Sequence, residues 1–236
     1  MTLADRVAAA YAARLRSYGA RAPGRFAVEV AGLLVVSLGV DEPWGLQIAA
    51  LPDEPDPMAV DAAIAWCRER GRQPQVVVRE QHRAGLSGLR QVEALPALVA
   101  SAEVGDDAFE VGPPRDAAEF RAVYGPAFGM RPGLAEALVV DADLTTPDVA
   151  HLVARQDGVT VACAQLRDGE GMSYVSGVGV LPDRQRQGIG SSMLAACRSE
   201  AARRGCASVW LNASARSQPF YESIGFDLVD THLALA

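Results

Sequence analysis

Apolar residues in the first hundred positions follow two spacings, one helical and one extended. Spacings of three and four residues predict a helix over residues 3–18 and a second helix that begins at Asp56-Pro57, a favourable cap and first-turn pair, and ends at Gly71. Short apolar runs between turn residues predict strands at 26–40 (two strands turning at Gly32), 44–51, 75–78 and 94–100, and a short helix is expected at 84–89. This half of the chain therefore mixes helices with strands.

The pattern begins again after a small, acidic stretch, residues 101–108 (SAEVGDDA), which we interpret as a linker. Beyond it, helical spacing predicts helices at 116–128, 133–139, 189–204 and 218–224. Apolar runs predict strands at 109–111, 149–155, 159–166, 174–181, 208–212 and 226–235, and Asp157-Gly158 is a strong hairpin turn signal. The order of elements favours an α/β (α+β) protein of two domains, 1–103 and 104–236.

Composition excludes several classes of function. The formal net charge is −7, from 22 basic and 29 acidic residues, so nucleic acid is not expected as the main partner. The 4 cysteines include no C-x-x-C pair and only 3 histidines accompany them, so neither a metal site nor a disulfide framework is expected. The charged N-terminus is unlike a signal peptide, and the longest apolar run, near residues 31–40, is too short to cross a membrane. A cytoplasmic location is expected, and no membrane partner.

Several short matches occur in the same order in the two halves of the chain. They are "LPD" at 51–53 and 181–183, Cys-Arg at 67–68 and 197–198, Arg-Gly at 70–71 and 204–205, and Ala-Leu at 97–98 and 234–235. Each match alone is expected by chance, but the shared order favours an internal duplication.

The two halves differ in the loop between "LPD" and the following helix. The second half has RQRQGIGSS there, whereas the first has EPDP, residues 54–57, which offers two carboxylates and no glycine or basic residue. A helix N-terminus with free backbone N–H groups attracts phosphate, and Arg184 and Arg186 add charge. We therefore expect an anion site in the second half only.

The loop does not match the two best-known phosphate motifs. A P-loop requires Gly-Lys-Ser/Thr, but Gly190 is followed by Ser191, and a dinucleotide fingerprint would require glycine where Met193 stands. A glycine turn that merely begins an ordinary helix is the alternative interpretation of the loop alone.

The longer stretch VSGVGVLPDRQRQGIGSSM resembles the acyl-CoA-binding motif of the GNAT acetyltransferase superfamily, Gln/Arg-x-x-Gly-x-Gly/Ala after a strand ending in Pro. SQPFYESIGF, residues 217–226, resembles the family's aromatic-Tyr-x-x-x-Gly-Phe signature. The resemblance covers about residues 109–236. It implies a GNAT fold, a mixed central sheet flanked by helices, preceded by a smaller, degenerate GNAT-like N-terminal domain.

The resemblance also implies an acetyl-CoA-dependent N-acetyltransferase that transfers an acetyl group to an amine by direct attack on the thioester. The residues that it implies for coenzyme A binding are Val178, Gly179, Val180, Gln185, Arg186, Gln187, Gly188, Ile189, Gly190, Ser191, Asn212 and Phe220. The main chain at Val178 and Val180 would bind the pantetheine arm and the acyl carbonyl. Glycines inside this strand, Gly177 and Gly179, indicate a bulge or a close backbone approach, with simple packing as the alternative.

Tyr221 is the expected catalytic residue, because the family has a tyrosine here that donates a proton or hydrogen bond to the departing thiolate. A phenol of ordinary pKa near 10 can protonate a thiolate whose conjugate acid has a pKa near 8.5. A core aromatic residue is the alternative. No base is evident: strand 174–181 has no carboxylate, and His151, Asp168 and Glu170 are each more typical of a loop or strand end.

Three functions stay open at this level. The first is the N-acetyltransferase, acting on a small-molecule or protein amine; the second is a non-catalytic acyl-CoA-binding module; the third is a tandem-domain enzyme resembling mycothiol synthase. A homodimer is left open. The first half is expected to shape a substrate pocket or an interface, and a fragment of residues 1–103 is expected to be poorly stable because so small a domain buries little surface.

Overall fold

The structure is a computed structural model that describes residues 1–18, 22–51, 53–105 and 109–236. The chain divides into two compact units: unit 1 comprises Met1–Leu98 and Asn212–Ala236, and unit 2 comprises Val99–Leu211. Residue 52 of the first "LPD" and residues 106–108 of the predicted linker lie outside the described residues.

Unit 1 is a mixed sheet with flanking helices. Its helices are α1 (Leu3–Arg16), α2 (Pro57–Arg68) and α7 (Gln218–Ser223), and Glu80–Leu86 forms a 3-10 helix near the predicted helix at 84–89. Its strands, numbered along the whole chain, are β1 (Arg25–Val30), β2 (Leu33–Leu38), β3 (Leu46–Ala50), β4 (Gln75–Arg79), β5 (Gln91–Ser101, in this unit as far as Leu98) and β11 (Asp227–Leu235). The strand order is β1-β2-β3-β4-β11-β5.

The helices of unit 1 begin where the sequence predicts. Thr2 forms a capping box with Asp5 at the start of α1, and the Asp56 carboxylate accepts from the Met58 N–H at the start of α2. The apolar face of α2, formed by Val60, Ile64 and Cys67, is buried against alternate residues of the strands. Those strand residues are Val35, Leu46, Ile48, Ala50, Val76 and Val78.

The last strand of the chain lies in the middle of the unit 1 sheet. β11 is antiparallel to β4, with Leu233 opposite Val78 and Leu235 opposite Val76, and its other neighbour is β5. By sequence β11 belongs to the predicted domain 104–236, yet its apolar residues are part of the unit 1 core. The division into domains 1–103 and 104–236, and the duplication behind it, stay predictions.

Unit 2 is also a mixed sheet with flanking helices. Its strands are β6 (Glu110–Gly112), β7 (Val149–Gln156), β8 (Val159–Gly169), β9 (Met172–Val180) and β10 (Ser208–Asn212, in this unit as far as Leu211), and its helices are α3 (Ala117–Ala127), α4 (Leu134–Leu138), α5 (Asp141–Leu144) and α6 (Ile189–Arg203). The order is β10-β9-β8-β7-β6, with β9 and β10 parallel and the other pairs antiparallel. The four-residue helix α5 was not predicted.

Both long helices of unit 2 pack on the sheet. α3 buries Phe120 and Val123 against Val153 and Cys163, and α6 buries the apolar face predicted for it. The turn between β7 and β8 has Asp157 at φ 53° and Gly158 at φ 75°, the left-handed pair expected of a tight hairpin. The mixed α/β prediction is thus confirmed.

A buried carboxylate ties α3 to the hairpin of β7 and β8. Glu119 Oε1 accepts from Arg155 Nε at 2.9 Å and from Thr160 Oγ1 at 2.6 Å, and its Oε2 accepts from the Arg115 backbone N–H at 2.6 Å. Although burial opposes ionisation, the hydrogen bonds from Arg155, Arg115 and Thr160 hold the pKa of Glu119 well below its usual range. The carboxylate is therefore ionised in the folded protein.

Replacing Glu119 with glutamine should lower the free energy of unfolding by about 3–5 kcal/mol at neutral pH, because the guanidinium of Arg155 would lose its carboxylate partner. Since the pKa is lowered on folding, this stabilisation is present above the unfolded pKa of about 4.3 and lost as the pH falls below it. Urea unfolding at pH 7 and pH 3.5 measures both effects. The exposed Glu136→Gln is the control, and a Glu119→Gln protein as stable as this control at pH 7 would contradict the argument.

Candidate active site

The loop before α6 is built to expose backbone N–H groups. Gly188 is the N-cap of α6 at φ 79°, and no side chain caps the helix. Arg186 also has a left-handed backbone, at φ 63°. Because nothing lies within 4 Å of the place where a Cβ of Gly188 would stand, the first turn of the helix is open on this side. Its N–H groups and the positive end of the helix dipole suit an anion.

The side chains of the loop divide into anchors and exposed groups. Gln185 Nε2 donates to the Val180 carbonyl at 3.3 Å, which ties the loop to the end of β9, and Ile189 is buried. Arg184 contacts the carboxylate of Asp183 at 3.5 Å. Within the described part of the chain, the exposed Arg186 has no ion-pair partner. It is therefore the cation of the loop that is left for a ligand.

The strand β9 loses its parallel partner halfway along its length. Pairing with β10 joins Ser208–Trp210 to Met172–Tyr174 and stops there, whereas pairing with β8 continues to Val180. Among the described residues, 175–180 thus have no strand on the β10 side. The main chain at Val178 and Val180, which the resemblance assigns to the pantetheine arm and the acyl carbonyl, lies in this segment, which has no strand partner on the β10 side.

The two glycines of β9 have separate physical reasons. Gly177 adopts φ 60° at a bulge where the register with β8 shifts, and a Cβ there would stand 3.0 Å from the Tyr124 ring. A Cβ on Gly179 would stand 2.8 Å from Ala127 and 2.9 Å from the Phe128 ring. The predicted bulge is present, and the close approach is made by α3 and the residue after it.

The corresponding parts of unit 1 are closed. β3 pairs with β4 from Gln47 to Ala50, along nearly its whole length. The N-terminus of α2 already holds the Asp56 carboxylate, with Pro57 in the first turn. Neither an unpaired strand segment nor an uncapped helix start is available at these positions.

The other predicted site residues lie in unit 1. Tyr221, on α7, is partly exposed and is therefore not a core residue; its ring centroid is 5.3 Å from that of Phe220 and 5.8 Å from that of Phe226. The Asn212 amide nitrogen donates to the Leu95 carbonyl at 3.1 Å, and its Oδ1 has no partner among the described residues. The roles of these three predicted residues, Asn212, Phe220 and Tyr221, stay predictions.

Each of the three residues considered as the missing general base either forms a hydrogen bond with another side chain or lies in a turn. His151 is buried, and its Nε2 is 2.6 Å from Gln165 Nε2; burial, with the nearby Arg167 cation, lowers the pKa of His151 to about 4. Asp168 accepts from Arg204 Nε at 2.7 Å. Glu170 is in the turn after β8, at φ 55°.

The described ranges lack two features that would indicate a membrane or metal-binding protein. No helix there is long and apolar enough to cross a membrane. No three histidine, cysteine, aspartate or glutamate side chains within those ranges are grouped so that they could hold a metal ion.

Comparison with known proteins gives one family and many related folds. The sequence profile described as Acetyltransferase (GNAT) family matches residues 118–226. No curated protein sequence matches the chain significantly.

Among solved structures, a GCN5-related N-acetyltransferase from Kribbella flavida aligns with 21% identity and a TM-score of 0.73, covering 100% of this chain and 95% of the other. A GCN5-related N-acetyltransferase from Sphaerobacter thermophilus aligns with 16% identity and a TM-score of 0.60, covering 98% and 91%. A putative acetyltransferase of the GNAT family from Novosphingobium aromaticivorans aligns with 19% identity and a TM-score of 0.58, covering 97% of each chain. At these identities the likeness establishes the fold.

Proposed function

Because residues 118–226 form a domain of the acetyltransferase (GNAT) family, we propose that the protein is an acetyl-CoA-dependent N-acetyltransferase whose acceptor is an amine. The observation that supports this most directly is a combination of two features within unit 2. The N-terminus of α6 has no side-chain cap, and residues 175–180 of β9 have no strand partner on the β10 side. The helix N-terminus suits the phosphate of a nucleotide, and the strand segment suits an extended arm that carries amide groups.

The residues present fit coenzyme A. The N–H groups of Gly188, Gly190 and Ser191, together with the Arg186 guanidinium, would hold the pyrophosphate, and Ile189 anchors the helix that carries them. The main chain of Val178 and Val180, on the side of β9 away from β8, would bind the pantetheine arm and the acyl carbonyl as a neighbouring strand would. Acetyl-CoA supplies an acetyl group activated as a thioester.

A single cofactor site per chain follows from the contrast between the units. If the duplication holds, Arg79 at the end of β4 stands where Asn212 ends β10. Arg79 is buried, and its guanidinium contacts Asp230 at 2.7 Å and Asp5 at 2.8 Å. An ion-pair cluster, a capped helix and paired strands thus stand at the places in unit 1 that would correspond to the proposed site.

Replacing Gly188 with glutamate should weaken coenzyme A binding at least about tenfold, because it places a carboxylate against the anion-binding N–H groups. Calorimetry with wild type should give one site per chain. Gly158→Glu is the matched control, since Gly158 has a similar φ of 75° and equally open surroundings. Two sites per chain, or Gly188→Glu binding as tightly as Gly158→Glu, would refute the proposed site.

Turnover needs its own test. Wild-type protein with acetyl-CoA and a library of primary amines should release free coenzyme A thiol with at least one of them. Binding of coenzyme A without thiol release for any amine would favour the non-catalytic module instead.

A further inference from the structure

A row of three polar side chains crosses unit 2 beneath α3 and ends beside the bulge of β9. His151 on β7 is opposite Gln165 on β8, and Gln165 is opposite Ser176 on β9. Gln165 Nε2 is 2.6 Å from His151 Nε2, and the Ser176 hydroxyl donates to Gln165 Oε1 at 3.5 Å. His151 and Gln165 are buried, whereas Ser176 is partly exposed.

The hydrogen bonds allow one orientation of the row. Arg167 Nε donates to Gln165 Oε1 at 3.1 Å, so this oxygen is an acceptor and the amide nitrogen must donate to His151 Nε2. A neutral imidazole meets this requirement, and burial with the Arg167 cation lowers the pKa of His151 to about 4. His151 Nε2 has therefore committed its lone pair to Gln165, and the imidazole is not available as the base.

The orientation of the row determines which hydrogen bonds the Ser176 hydroxyl can make. Its hydroxyl donates to Gln165 Oε1, so its oxygen lone pairs are left to accept from another donor, and Ser176 is partly exposed. Resting on the proposed function, we infer that Ser176 Oγ accepts an N–H hydrogen bond from the acceptor amine and that Gln165 is a positioning residue that orients the Ser176 hydroxyl.

The place of Ser176 along β9 suits this role. Val178, which the resemblance assigns together with Val180 to the pantetheine arm and the acyl carbonyl, is two residues further on, roughly 7 Å away along an extended strand. An attacking nitrogen must come within about 3–3.5 Å of the carbonyl carbon. A nitrogen hydrogen-bonded to Ser176 Oγ therefore lies within reach of a carbonyl held at Val178. The bond strengthens as positive charge develops on the nitrogen during attack.

The test compares two serines on the same strand. Ser176→Ala should lower kcat/KM for the amine by about 10–100-fold, the usual effect of losing a hydrogen bond to a charged group, and leave the Kd for coenzyme A unchanged. Ser173→Ala is the matched control, because the Ser173 hydroxyl is fully buried and has no partner among the described residues. Ethylamine, 2-phenylethylamine and spermidine serve as acceptors, and Ser176→Thr should restore activity because it keeps the hydroxyl.

Gln165→Met tests the positioning role. It should lower kcat/KM for the amine less than Ser176→Ala does, and the double variant should be no worse than Ser176→Ala alone. Equal kcat/KM for Ser176→Ala and Ser173→Ala in an active wild-type background overturns the inference and leaves the proposed function intact. A wild type that binds coenzyme A but acetylates neither these three amines nor any other amine of the library overturns both.

Discussion

Replacing Tyr221 with phenylalanine should lower kcat by about 10²–10⁴ while raising the KM for acetyl-CoA little, if the hydroxyl donates to the departing thiolate as the family resemblance implies. The interaction would be made mostly in the transition state, so its loss appears in kcat. Phenylalanine keeps the ring that contacts Phe220 and Phe226. The melting temperature should therefore move by only a few degrees.

Arg186→Ala is the informative comparison. It removes the loop cation and should raise the KM for acetyl-CoA while leaving kcat at saturating cofactor nearly intact. Steady-state rates of both variants, with one amine and one assay, separate a chemical role from a binding role. A Tyr221→Phe enzyme with wild-type kcat would assign the leaving group to solvent or another donor.

Replacing Leu233 with aspartate should prevent unit 1 from folding. Leu233 is 2% exposed in β11, so the change removes buried apolar surface and introduces a carboxylate without a cation partner, together worth at least about 4 kcal/mol. Whole domains are stable by only about 5–15 kcal/mol. Leu228→Asp is the matched control on the same strand, because Leu228 is 49% exposed.

Circular dichroism and urea unfolding measure the difference between these variants. Loss of the cooperative transition in Leu233→Asp, with Leu228→Asp near wild type, is the expected result. The structure also gives a sharper reason for expecting a fragment of residues 1–103 to be unstable, since that fragment lacks β11. A soluble fragment 1–103 that unfolds cooperatively would contradict both arguments.

Local structure was predictable wherever it depends on neighbouring residues. The spacing of apolar residues located α2 and α6, Asp56 marked the start of the former, and Asp157-Gly158 marked the hairpin turn. The loop before α6 was also predictable from the sequence, because free backbone N–H groups at the start of a helix depend on only a few consecutive residues.

Features that depend on distant residues were not predictable. The pairing of β11 with β4 could not be predicted from the sequence, since the two strands are far apart along the chain. The separation of β9 and β10 after Tyr174 and Trp210 could not be predicted from the sequence either. Gln165 interrupts the apolar run 161–166 and so gave a sequence signal for the polar row, but its partner His151 is identified only by register.

The insertion of β11 between β4 and β5 has a consequence for biosynthesis. When β5 leaves the ribosome, the strand that separates it from β4 has not yet been made. At about 5–20 residues per second, the intervening chain takes roughly 6–27 s to synthesise. During that interval the nascent first half presents unpaired strand edges and an incomplete apolar core, which are the features that chaperones bind and that promote aggregation. Completion of this half therefore waits for the synthesis of β11, which comes after the whole of unit 2 along the chain.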